Sequence, residues 1–345
     1  MQKSSDGKPQ ISGVSPGAAI PGGELQVHGK GLSGELRPRV QLGDMMAPLV
    51  VSSDSFLIAR VPEGVSDGEL VIHNGDQRSA PWICELGIQI AEGLHPVSNP
   101  ALDAEGNIFT TLSGQRGQKT PVSVFKIDTN YHRRNFLSEV MNASGLALDR
   151  EGMLYISSRH DGVIYQATAR GAMTVYVEGM GIATGIAFDR EENLYVGDRS
   201  GTIFKISRSR QVYVFATIEP SIAAYHLTFG PEGYLYVAGP TTSSFDCVYR
   251  ISAAGEVSSF YRGVGRPQGM AFDTEGRLYV AGSLGGRRGV VRITPSGDAE
   301  LFLSGPHVVG LAFSPTGTLI VATNSALYRV DTGVRGRPLA NLDER

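Results

Sequence analysis

From about residue 98 the chain repeats one short pattern of apolar and polar positions. GLALDREGMLYIS (145–157) recurs as GIAFDREENLYVG (185–197), HLTFGPEGYLYVA (226–238), GMAFDTEGRLYVA (269–281) and GLAFSPTGTLIVA (310–322), and NPALDAEGNIFTT (99–111) is a degenerate first copy. With Asp103, Asp149, Asp189, Gly230, Asp273 and Ser314 as anchors, the spacings are 46, 40, 41, 43 and 41 residues. Fixed-period self-similarity of this kind marks a repeat architecture.

Each copy reads as four short strands. The first carries Leu148, Phe188, Phe229, Phe272 and Phe313 in one column, preceded by a small column of Ala101, Ala147, Ala187, Thr228, Ala271 and Ala312. Small residues suit an inner strand where backbones crowd. An acidic, Gly-containing turn leads to a second strand with Phe109, Tyr155, Tyr195, Tyr236, Tyr279 and Ile320 in register. A third strand reads VFKI (124–127), IYQA (164–167), IFKI (203–206), VYRI (248–251), VVRI (290–293) and LYRV (327–330), and a variable fourth follows. Period-two alternation with β-branched and aromatic enrichment is the strand signal, and four strands per ~40 residues is the propeller signal. The sixth copy ends in VRGRPLANLDER, a poor strand, whereas GIQIAEG (87–93) before the first copy resembles a fourth strand. The expectation is that 87–93 closes the ring and leaves no open edge.

Composition fits this picture. The 345 residues are 41% hydrophobic and 19% charged, with 44 Gly and 18 Pro, so the chain can bury a core and turns often. A net charge of −3 points away from nucleic acid and from acidic membrane surfaces. No run of about 18 apolar residues predicts a membrane span. Cys84 and Cys247 lie far apart, outside any metal-ligand spacing, and read as small core residues. The polar start MQKSSDGKPQ has no apolar leader segment, which reads as cytoplasmic, or as secreted or envelope-bound if a leader has been removed. The chain is expected to be a monomer.

The repeats resemble NHL-repeat propellers and, more loosely, six-bladed propellers of the gluconolactonase type. Residues 10–85 resemble the IPT/TIG immunoglobulin-like domain through PQISGVSPGAAIPGGELQVHGKGL (9–32), VQLGD (40–44) and FLIARVPEGVSDGELVIHNG (56–75). Short strands between Gly/Pro turns support a sandwich independently. The segment carries more acidic than basic residues, so a DNA-contacting surface is not expected. The predicted fold is therefore all-β: a flexible tail (1–9), an immunoglobulin-like sandwich (10–85) and a six-bladed propeller (86–345).

Function on propellers collects around the channel on the face bearing the second-to-third and fourth-to-first strand loops, here the upper face; the first-to-second turns define the opposite, turn face. The residues that open the inner strands are Ser98, Ser144, Thr184, Tyr225, Gln268 and Val309, a polar, uncharged ring. The gluconolactonase resemblance implies a divalent cation held near the channel by Glu, Asn and Asp. The corresponding places here hold Ser98, Ser144 and Gln268, with Asn99 and Asn142 the nearby amides, and a hard cation prefers carboxylates. No metal or other cofactor is therefore predicted. His226 stands where other copies have Gly145, Gly185, Gly269 and Gly310, and His95, His160 and His307 fall on the same upper face. Its loops carry Arg116, Lys119, Arg159, Arg199, Arg266, Arg287 and Arg288 against Asp161, Asp198, Glu219 and Asp246, which suits an anionic ligand. No nucleophile elbow, HExxH or phosphate-binding loop occurs. The predicted function is a non-enzymatic binding protein for a small anionic ligand or a protein partner. Its site would hold Ser98, Asn99, Ser144, Thr184, Tyr225, His226, Gln268, His307, Arg159 and Arg199. The alternative is a gluconolactonase-like hydrolase or propeller lyase with a rearranged, metal-dependent upper-face site and His226 as the catalytic candidate.

Overall fold

The inner strands explain how the repeats assemble. Each of the six copies forms its own antiparallel sheet, in chain order from inner to outer strand. Inner strands Ala101–Leu102, Ala143–Leu148, Ala183–Phe188, His226–Phe229, Met270–Phe272 and Val308–Phe313 touch in succession around a central channel. The ring closes where Leu311 N donates to Asn99 Oδ1 at 3.0 Å. The computed structural model describes residues 8–115, 117–242, 246–314 and 316–337. Among them there is no helix, and so none long and apolar enough to cross a membrane.

The aromatic columns are the contacts between neighbouring sheets. Tyr155, Tyr195, Tyr236 and Tyr279 each meet the inner-strand Phe of the next copy edge to face, at 4.9 Å from Phe188, 5.1 Å from Phe229, 4.9 Å from Phe272 and 4.8 Å from Phe313. Edge-on pairs at such distances add about 0.5–1.5 kcal/mol beyond their burial. The acidic column caps turns. Asp103, Asp149, Asp189 and Asp273 each accept, through Oδ1, the backbone N–H four residues on, at 2.7–2.9 Å. For three of them the charge is met within the copy, by Lys126 on Asp103, Lys205 on Asp189 and Arg277 on Asp273.

The sixth sheet has three strands from its own copy, Val308–Phe313, Leu319–Thr323 and Ala326–Val330, and Ile88–Glu92 pairs antiparallel with the last of these. The strand that precedes the first copy and the last strand of the sixth thus share one sheet.

Residues 10–83 build two further sheets, of four and five strands, around one core that includes Leu25, Val27, Leu57, Leu70, Ile72 and Cys84. The sandwich is stitched to the fifth repeat sheet. Ala18–Ala19 adds in parallel to the outer strand of that sheet, opposite Leu303 and Ser304, and Glu85–Leu86 adds to Ala18–Ala19. Glu24 N donates to Ser304 Oγ at 2.8 Å, and Arg287 donates to Gln26 Oε1 at 3.0 Å and to the Ser15 carbonyl at 2.9 Å. Ile20, 1% exposed, inserts into the core of the fifth and sixth sheets. Both cysteines are free and buried.

Candidate functional site

The inner strands taper at their N-terminal ends. An ideal Cβ on Gly145 would lie 2.4 Å from the Thr184 carbonyl oxygen, one on Gly185 2.4 Å from that of Tyr225, and one on Gly310 2.5 Å from that of Ser98. Backbones of neighbouring copies therefore meet at the glycine column, which only a residue without Cβ permits. The crowding expected at the alanine column lies two residues earlier. The alanines instead line a cavity of about 480 Å³ that fills the channel. Its narrow end is formed by Ser98, Asn99, Gly145, Gly185 and His226, and its wide end by Asp103, Ala104, Phe313, Arg150, Gly336 and Arg337. The narrow-end groups are buried or nearly so, whereas Ala104 and Arg150 are exposed, so the channel opens on the turn face. The mouth thus lies on the face opposite the one on which sequence reasoning placed the site. The physical reason is the close approach of backbones at the glycine column.

His226 and Asn99 are the two side chains that stand in the glycine column, and both sit at the closed end. Asn99 Nδ2 donates to the Met270 carbonyl at 2.7 Å while its Oδ1 accepts Leu311 N. His226 is 3% exposed and, among the described residues, its imidazole has no hydrogen-bond partner. Burial lowers its pKa from 6.5 to about 4, so the ring is neutral at physiological pH. A neutral imidazole offers one N–H donor and one nitrogen acceptor. His226 therefore presents an unused donor and acceptor to an otherwise largely apolar space, lined by the alanines together with Leu146, Ile186, Leu227 and Met270.

The other predicted site residues do not join it. Ser98 lines the narrow end and donates to the Ser144 carbonyl at 2.6 Å. Ser144, Thr184 and Tyr225 are fully buried behind the lining: Thr184 Oγ1 donates to the Gly197 carbonyl and accepts Tyr225 N, and the Tyr225 hydroxyl donates to the Glu219 carbonyl. Gln268 is half-buried, its backbone N–H paired with the Ala281 carbonyl. His307 is exposed on a turn at φ 57°, and His95 is engaged with the Ser113 carbonyl, so neither converges with His226. Arg159 and Arg199 do not line the channel. Arg159 Nη2 donates to Ser113 Oγ at 2.7 Å, and Arg199 Nη2 to the Ile222 carbonyl at 2.8 Å. Burial, then the Arg199 charge, holds the Arg159 guanidinium below its ordinary pKa. Neither forms an ion pair with Asp161 or Asp198 among the described residues. Arg287 is committed to the sandwich, and Arg116 lies outside the described residues.

The amide oxygens considered as metal donors are occupied. Asn99 Oδ1 accepts Leu311 N, and Asn142 Oδ1 accepts Gly117 N at 2.9 Å. Among the described residues no three His, Cys, Asp or Glu side chains gather as a metal site. Sequence reasoning missed the turn-face mouth, with Arg150 and Arg337; the one signal for it was the uniform smallness of the alanine column.

No family model matches the chain, and no curated protein matches it in sequence. Solved structures do match in fold. A gluconolactonase from Xanthomonas campestris is 14% identical with a TM-score of 0.60, covering 72% of this chain and 90% of its own. An auxiliary nutrient binding protein from Bacteroides thetaiotaomicron is 13% identical with a TM-score of 0.57, covering 95% and 99%. A virginiamycin B lyase from Staphylococcus aureus is 12% identical with a TM-score of 0.52, covering 95% of each. The likeness shows a β-propeller fold that is shared with gluconolactonase-like proteins.

Proposed function

We propose that the chain is a non-enzymatic binding protein that takes a small molecule into its channel from the turn face. In this reading residues 86–345 are a six-bladed propeller and residues 10–85 an immunoglobulin-like accessory domain behind a short tail (1–9). The observation that carries it is the channel itself: about 480 Å³, mostly apolar, closed at one end around the unpartnered imidazole of His226. Ligand sites are typically apolar cavities of about 300–1,000 Å³ with a few placed polar groups. The likeness in fold to a nutrient binding protein over 95% of the chain supports the same reading. A ligand whose hydroxyl both donates and accepts matches a neutral imidazole.

Calorimetric titration with decanol tests this. We expect saturable one-to-one binding, lost when Ala187→Trp fills the channel and weakened about tenfold in His226→Phe, as for one buried hydrogen bond. Absence of binding, or unchanged binding in Ala187→Trp, would overturn the reading.

One observation favours a second reading, a gluconolactonase-like hydrolase or a lyase. His226 is unprotonated at neutral pH and faces the cavity, as a general base must. A structural neighbour, virginiamycin B lyase, is inactive as a His-to-Ala variant. Ring opening of a sugar lactone that is abolished in His226→Ala would favour this alternative.

A further inference from the structure

The fourth inner strand, His226–Phe229, breaks the repeat at two positions on one face. Where the other copies have glycine or Asn99 it has His226, and where all five others have alanine it has Thr228. Residues two apart in a strand project to the same side, and their Cα atoms lie about 7 Å apart. His226 and Thr228 therefore stand along one edge of the channel, the first at the closed end and the second a step nearer the mouth.

Thr228 is half-buried while the two residues before it are buried, and its strand is the innermost of its sheet, so its exposed part faces the channel. Its hydroxyl has no hydrogen-bond partner among the described residues and, unlike Thr110 Oγ1, is not sealed from solvent. A hydroxyl offers one donor and two acceptor lone pairs. Covering it with a purely apolar ligand would strip its water without return, whereas a ligand hydroxyl or carbonyl at that height restores the bond.

The other uncharged polar side chains of the lining are already spent. Ser98 Oγ donates to the Ser144 carbonyl, and both ends of the Asn99 carboxamide are bonded. The wall beside them is apolar, with Leu146, Ile186, Leu227 and Met270 among the alanines. The mouth carries both signs of charge. Arg150 is engaged with the Arg190 carbonyl and with Glu192, and Arg150 and Arg337 share the turn face with Asp103, Asp149, Glu151, Asp189, Asp273 and Glu275. Mixed charge at the entrance favours neither an anion nor a cation, which suits an uncharged ligand.

We infer that the ligand is a neutral molecule with an apolar skeleton and two hydroxyl or carbonyl groups about 7 Å apart along one edge, the inner at His226 and the outer at Thr228. This rests on the channel being the binding site. The alanines of the other copies take the apolar side of the molecule.

Decane-1,6-diol has about this spacing between its hydroxyls when extended. Its 1,2 and 1,10 isomers have the same composition, so comparing the three by calorimetry on the full chain separates spacing from hydrophobicity. We expect decane-1,6-diol to bind about tenfold more tightly than either isomer, the scale of one well-placed hydrogen bond. Thr228→Val keeps the branched shape and removes the hydroxyl. It should abolish the preference and leave decanol binding unchanged, and Thr228→Ser should retain the preference. Decanol binding without a preference for the 1,6 isomer, or a preference that survives Thr228→Val, overturns the two-point ligand and leaves the channel site standing. If neither decanol nor any of the diols binds, the channel reading itself falls, and this inference with it.

Discussion

The carboxamide of Asn99 donates to the carbonyl of Met270 across 171 residues of chain, at 2.7 Å, while accepting Leu311 N. One side chain from the first copy therefore ties the fifth and sixth at the narrow end of the channel. Asn99→Ala would leave Leu311 N and the Met270 carbonyl without these partners. Each such loss costs about 1–3 kcal/mol, so a denaturant titration should show a loss of that order, with an unchanged slope.

Two positions in the same strand should respond oppositely to added volume. Gly185→Ala places a methyl against the Tyr225 backbone and should cost about 1–3 kcal/mol. Ala187→Val, two residues on, adds its methyls to the cavity and should change stability little. Thermal melts of the two variants check this directly. Equal losses would mean that the channel is not open at the alanine column.

Stability should depend on pH through His226. Its folded pKa, about 4, lies below the ordinary 6.5, so between these values the unfolded chain binds a proton that the folded one refuses. Stability is then unaffected above pH about 6.5 and falls as pH drops towards about 4, by about 3 kcal/mol in all. His226→Gln should flatten this part of the profile, read as the difference between the two proteins so that shared carboxylates cancel.

The sandwich should be held through Arg287. Arg287→Ala removes its bonds to Gln26 and Ser15 and should cost about 1–2 kcal/mol. The visible effect should be faster proteolysis between the sandwich and the repeats, with the repeat core left intact. Cys84 offers an independent check on the sandwich core: burial pushes its thiol up to about 12, so it should resist alkylation until the chain unfolds.

Much of the fold was legible because the repeat writes each structural role six times. The Tyr and Phe columns sit where the sheets meet, and the Asp anchors cap the turns, as Tyr236 with Phe272 and Asp273 with Arg277 illustrate. His226 and Asn99 could be singled out as exceptions in a glycine column. Which way the channel opens could not be read, because it depends on how closely Gly145 approaches Thr184 from another copy, a tertiary distance with no periodic signature. The arginines of the upper loops looked like a ligand site in sequence, yet Arg159 and Arg199 do not line the channel and reach Ser113 and the Ile222 carbonyl instead. Ala18–Ala19 is too short to announce itself as a strand, and only the edge of the fifth sheet makes it one.

A crystal structure of the chain soaked with decanol tests the central claim most directly. The account predicts one molecule in the channel, its chain along Ala147, Ala187 and Ala271 and its hydroxyl at His226. Density for the probe on the upper face beside Arg159 and Arg199, with the channel empty, would contradict it.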